Sequence, residues 1–99
     1  MDICPFTIGI ETINKTSDDE TISGIMAPII PRNSPIPISR TQQFTTDEDY
    51  TESVNIKIFQ GESKMVENNL YLGEFTLKNI MKAPKGVPVI NVNIMIIII

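Results

Sequence analysis

The stretch IIPRNSPIPIS, residues 29–39, constrains this chain more than any other. It holds Pro31, Pro35 and Pro37, and Pro28 stands directly before it. Proline fixes φ near about −65° and has no amide to give to a β ladder. A helix and a central strand are both ruled out across this segment. What remains is a stiff, extended crossing between two apolar runs. The run before it, GIMAPII, is a strand that Pro28 either cuts short or keeps at a sheet edge.

Further strands follow from period-two patterning. In FTIGIETI (residues 6–13), Ile8, Ile10 and Thr12 share one face. In IPISRTQQFTT (36–46), Ile38, Arg40, Gln42 and Phe44 do the same. VNIKIF (54–59) is the cleanest strand, with Val54, Ile56 and Ile58 alternating with polar residues. LYLGEFTL (70–77) sets Leu70, Leu72, Glu74 and Thr76 opposite Tyr71, Gly73, Phe75 and Leu77. The last strand runs from Val89 to Ile99 and ends in pure isoleucine. NKTSDDETIS (14–23) is predicted to be a polar, mobile loop, and DEDYTES (47–53) an acidic turn. Six short strands at such spacing predict an all-β fold, a β-sandwich of two antiparallel sheets.

Composition narrows the function. The net charge is −4 and no basic patch exists, which argues against nucleic acid as a partner. There is no histidine, the commonest general base and metal ligand. Asp47 and Asp49 form a solvated turn rather than a metal or catalytic pair. No enzyme, cofactor or metal is expected. The single cysteine, Cys4, excludes an internal disulfide, fits a reducing compartment such as the cytoplasm, and is expected to be a small buried hydrophobe. The Val87–Ile99 run is too short, and too broken by Pro88, Asn91 and Asn93, to span a membrane.

In order along the chain come DICPFTIGIET, IIPRNSPIPISRTQQFTT, IFQGESKMVENN, LGEF and APKGVP. Together these blocks, covering about residues 2–94, resemble the peptide-binding β-domain of the seventy-kilodalton heat-shock chaperones, the DnaK family. DICPF, PIIPRN, PISR and QGESKMVENNLYLGE are most similar to its HscC-like branch. The resemblance implies a sandwich whose loops at one end form a peptide channel. It gives the proline segment a role as the crossing from one sheet to the next, pre-set by its prolines and kept from pairing.

The partner so implied is an extended, apolar segment of an unfolded protein, bound by main-chain hydrogen bonds with one side chain in a pocket. Carried over position by position, the pocket residues are Ile10, Thr12, Phe44, Val54, Ile56 and Ile90, with Ile13 and Ile25 near the rim. Without the resemblance, plain core packing would be the reading for all of these. Asp47 stands where the family has a small apolar arch residue. It either attracts Lys or Arg of a bound peptide or simply points to water.

Two departures stand out. Ten residues separate Ile13 from Gly24, including Asp18, Asp19 and Glu20, where the family has one or two. After VNIMIIII the family's two further strands do not follow, and its nucleotide-binding domain, linker and helical lid are absent from the 99 residues. The expectation is a fragment of the β-domain, truncated by its last strands. Its uncharged 94–99 tail is a pairing hazard, so the alternative is a non-binding structural remnant that self-associates through that strand.

Overall fold

The computed structural model describes residues 2–15 and 21–97, with the backbone alone for 12–15 and 21–23. The strands are β1 (Ile3–Cys4), β2 (Ile8–Lys15), β3 (Thr21–Ile30), β4 (Ser34–Pro35), β5 (Ile38–Phe44), β6 (Val54–Gln60), β7 (Leu70–Leu77) and β8 (Ile90–Ile96). A 3-10 turn, Val66–Asn68, precedes β7. One antiparallel sheet has the order β3-β2-β6-β7, and β5 pairs with β8 in a second. The molecule is 19 Å thick, the depth of two β layers packed about 10 Å apart. An all-β sandwich with antiparallel sheets is what the alternating pattern predicted.

The core lies between the layers. Ile8, Ile10, Ile29, Ile30 and Ile56 come from the wider sheet, and Ile90 and Val92 from β8. Ile38 and Phe44 of β5 and Ile94 and Ile96 of β8 pack against them. Cys4 belongs to this cluster and is buried, with its Sγ donating to the Phe6 carbonyl at 3.1 Å. On the outward face of the β5–β8 pair, Asn93 spans to β5. Its Nδ2 donates to Ser39 Oγ at 2.9 Å and to Thr41 Oγ1 at 2.8 Å. This accounts for Asn93, one of the two asparagines in the strand.

The structure corrects four sequence expectations. First, the loop predicted over 14–23 is shorter: β2 continues to Lys15 and β3 begins at Thr21, with Asn14 opposite Ile22 and Lys15 opposite Thr21. Backbone pairing in a hairpin does not need apolar side chains, and a register shift between Thr12 and Asn14 absorbs the irregularity. The acidic residues 18–20 lie outside the described residues.

Second, the proline segment does pair, over two residues. Ser34 and Pro35 stand opposite Cys4 and Ile3. The donors are the non-proline neighbours: Asn33 N–H to the Cys4 carbonyl at 2.6 Å and Ile36 N–H to the Asp2 carbonyl at 3.0 Å. The missing amide of Pro35 therefore costs the ladder nothing.

Third, the alternation of β7 is interrupted. Ile58 pairs with Gly73 but Phe59 pairs with Tyr71, leaving Leu72 without a partner in the ladder. This bulge sets the Tyr71 ring edge-on to Phe59, with centroids 5.7 Å apart. The Tyr71 hydroxyl reaches Glu74 Oε1 at 2.7 Å, although strict alternation had put these two residues on opposite faces. Fourth, the last strand, expected over 89–99, is Ile90–Ile96. Residues 98 and 99 lie outside the described residues.

Pro28 sits within β3, the edge strand of its sheet, where a missing amide is tolerated. The segment 61–69 partly caps that edge. Met26 N–H donates to the Lys64 carbonyl at 2.8 Å, and Ile25 bridges Met65.

Candidate functional site

At one end of the sandwich the layers part around a hollow of about 680 Å³. Such a volume is within the range of ligand pockets in general. Each wall follows from strand geometry. Ile10 of β2 and Ile56 of β6 point inward from neighbouring strands and are 3% and 4% exposed. Val54, two residues before Ile56, shares its face, as the period of a strand requires. From the other layer, Phe44 and Ile90 stand directly opposite each other across the β5–β8 ladder, and Val92 follows Ile90 on the same face.

Two loops close the rim and are laced together. Thr45 Oγ1 donates to the Pro88 carbonyl at 2.6 Å, and Gly86 N–H donates to the Thr46 carbonyl at 3.1 Å. Tyr50 N–H reaches the Ala83 carbonyl at 2.8 Å, and Lys85 N–H reaches Asp49 Oδ1 at 2.8 Å. Asp49 is thereby engaged in holding the loops. Asp47, half-buried, lines the hollow from the first of them. The charged wall residues are Glu11 and Asp47, both acidic.

The structure thus brings together Ile10, Phe44, Asp47, Val54, Ile56 and Ile90 of the sequence-derived set. Ile25 is not among the wall residues; it is half-buried in β3, opposite Thr12 and bridged to Met65. The side chains of Thr12 and Ile13 lie outside what is described, and only their place in β2 is known. Sequence reasoning missed the polar wall residues Glu11, Gln42, Gln43, Thr45 and Asn55, the apolar Val92, and Gly86, Pro88 and Val89 of the second loop. The block APKGVP held the signal for the second loop, since it leads directly into Ile90. Gln42 was legible in part, since it shares the face of Phe44 in the alternation; Gln43, Thr45 and Asn55 read as ordinary solvent-facing positions.

The chemistry available is recognition by shape. A floor of branched hydrocarbon is flanked by amide and hydroxyl groups that can pair with a main chain. Among the described residues, no cluster of three or more His, Cys, Asp or Glu gathers to hold a metal.

Comparison with known proteins places this geometry in a family. The family model described as Hsp70 protein matches residues 1–97. The chain is 44% identical over 92 residues to the heat shock protein 70 homolog of Acanthamoeba polyphaga mimivirus, covering 93% of this chain and 9% of that protein. It is 41% identical over 92 residues to chaperone protein DnaK of Anaplasma marginale (strain St. Maries), covering 93% of this chain and 13% of that protein. The same identity and length hold for heat shock 70 kDa protein BIP3 of Oryza sativa subsp. japonica, covering 93% of this chain and 12% of that protein. The chain therefore spans about a tenth of the length of these curated relatives. Because the family model matches residues 1–97 of the 99, the chain belongs to the Hsp70 family.

Proposed function

We infer that this chain is a peptide-binding module, which takes extended apolar segments of unfolded polypeptides into the hollow between its layers. The observation that carries this reading is the meeting of Ile10, Val54 and Ile56 from one sheet with Phe44 and Ile90 from the other around one cavity. Membership of a chaperone family supports it.

An aliphatic side chain entering the hollow gains about 1.5–3 kcal/mol from burial. Each main-chain hydrogen bond to the polar walls adds about 1 kcal/mol net. Gln42 and Gln43 supply donors and acceptors for that purpose, whereas the Thr45 hydroxyl proton and the Asn55 side-chain amide are already engaged within the chain. A few such terms give weak binding, with dissociation constants roughly in the tens to hundreds of micromolar. Glu11 and Asp47 set a negative rim, so Lys or Arg beside the buried residue is preferred over Asp or Glu.

The test is fluorescence anisotropy of a labelled Leu-rich, Lys-flanked peptide. Val54→Phe fills the hollow and abolishes binding while the far-ultraviolet circular dichroism stays unchanged. A proline at the centre of the peptide also abolishes binding, because it removes a donor. Unaltered affinity in the Val54→Phe variant would rule the pocket out.

A further inference from the structure

The segment 61–69 lies against the β3 edge of the wide sheet, and its base and tip are held differently. The base is fixed by hydrogen bonds. Gly61 N–H donates to the Thr7 carbonyl at 2.9 Å, and the Glu62 carboxylate takes the Thr7 hydroxyl and amide. Asn69 Nδ2 donates to the Ser63 carbonyl at 2.9 Å, and Asn69 Oδ1 accepts Ser63 N–H at 3.1 Å. The tip is Lys64 and Met65. There the Lys64 carbonyl takes Met26 N–H, and Met65 bridges Ile25. The Met65 side chain lies over Gly24, where a Cβ would stand 3.9 Å from Met65 Cε. An unbranched thioether suits that seat, because it lies flat on a backbone that carries no side chain of its own.

Among the described residues the methionines are Met26, Met65, Met81 and Met95. Met26 is 7% exposed, and its Sδ accepts the Asn69 side-chain amide at 3.3 Å, which shields it. Met81 and Met95 are 71% and 63% exposed, so a thioether altered there stays in water. Of the four, Met65, at 38%, is both within reach of a small solute and engaged in packing against a second strand.

We propose that Met65 is an oxidation site that governs the hollow, with hydrogen peroxide as the oxidant. Its sulfur attacks one peroxide oxygen. An S–O bond forms, the O–O bond breaks, and the departing hydroxide takes the proton of the transferred oxygen and leaves as water. Sulfur is oxidised by two electrons and the peroxide is reduced by two, which gives the sulfoxide. The polar sulfinyl oxygen is costly to seat against Gly24, so the tip lifts from β3. β3 in turn holds β2, with Ile25 opposite Thr12 and Ala27 opposite Ile10. Ile10 is a wall of the hollow, so a freed β3 loosens that wall and weakens the grip on a bound peptide. The effect on binding rests on the hollow being the peptide site, whereas the lifting of the tip does not.

The experiment treats the 99-residue chain with hydrogen peroxide, follows each methionine by peptide mass mapping, and reads two quantities. Hydrogen exchange of the Met26 amide, whose partner is the Lys64 carbonyl, quickens about fivefold or more on oxidation. Affinity for the labelled Leu-rich, Lys-flanked peptide falls by a similar factor. Met65→Leu keeps the side-chain volume and cannot form a sulfoxide. In that variant both quantities hold their untreated values although Met81 and Met95 still oxidise. Met65→Gln, polar from the start, shows the faster exchange without peroxide. The proposal is overturned by the same peroxide response in Met65→Leu, or by full conversion of Met65 with the Met26 amide unchanged. It is equally overturned if Met65 stays reduced after Met81 and Met95 are converted, or if the amide quickens while a chain that binds the peptide keeps its affinity. A quickened amide in a chain that binds no peptide even before treatment defeats the reading of the hollow and leaves the oxidised clasp standing.

Discussion

Glu62 shows how much one exposed side chain can organise. Its carboxylate accepts the Thr7 hydroxyl at 2.6 Å and the Thr7 amide at 3.0 Å, while Arg32 N–H donates to that hydroxyl at 3.2 Å. Three chain segments meet there. The side-chain and backbone hydrogen bonds from Thr7 hold the Glu62 carboxyl below its ordinary range, with help from the Arg32 charge. A carboxyl lowered on folding adds stability above its unfolded value, and that stability is lost as pH falls through the folded one. Glu62→Gln is therefore expected to melt below the parent at pH 7, with the gap closing on acidification toward pH 3. Thermal melts across that range check it. Gly9 is a second single-residue constraint. A Cβ there would land on the Ala27 carbonyl oxygen and on Met26 Cγ. Gly9→Ala is expected to cost about 1–3 kcal/mol in urea unfolding, as overpacking does.

Strands carry the next level, and here the balance between core and ladder can be measured. Ile56, near the middle of the wide sheet, is buried against both layers, and Ile56→Ala should cost about 2–5 kcal/mol. Asn93→Ala removes the polar clasp between β8 and β5 on the outward face and, at this exposed site, should cost only about 0.5–1 kcal/mol. Both are read from denaturant midpoints. Elements with clean period two, such as VNIKIF, were legible in the sequence because burial on one face imposes that period. The β7 bulge was not read, although Gly73, at a φ of 156° beside it, is the residue type that marks one. The arms of the β2–β3 hairpin were misjudged because Asn14 and Lys15 look like loop residues, while backbone pairing ignores their polarity. The hollow was only half legible. Ile10 with Val54 and Ile56 could be read as inward-facing sets, but only register sets Phe44 opposite Ile90, and register is absent from a single strand's pattern.

For the molecule as a whole, the unequal layers matter most. They enclose a core at the β3 side and part around a hollow at the loop end. The chain has nineteen isoleucines, and Ile10, Ile56 and Ile90 line the hollow, so the hollow reports through its own methyl groups. This makes the central claim, that the hollow receives a foreign aliphatic side chain, directly observable. The decisive measurement is the set of intermolecular nuclear Overhauser effects between a leucine-methyl-labelled peptide and the isoleucine methyls of the chain. Cross-peaks are expected from the peptide's central leucine to Ile10, Ile56 and Ile90. Cross-peaks restricted to isoleucines outside the hollow, such as Ile3 or Ile97, would contradict it.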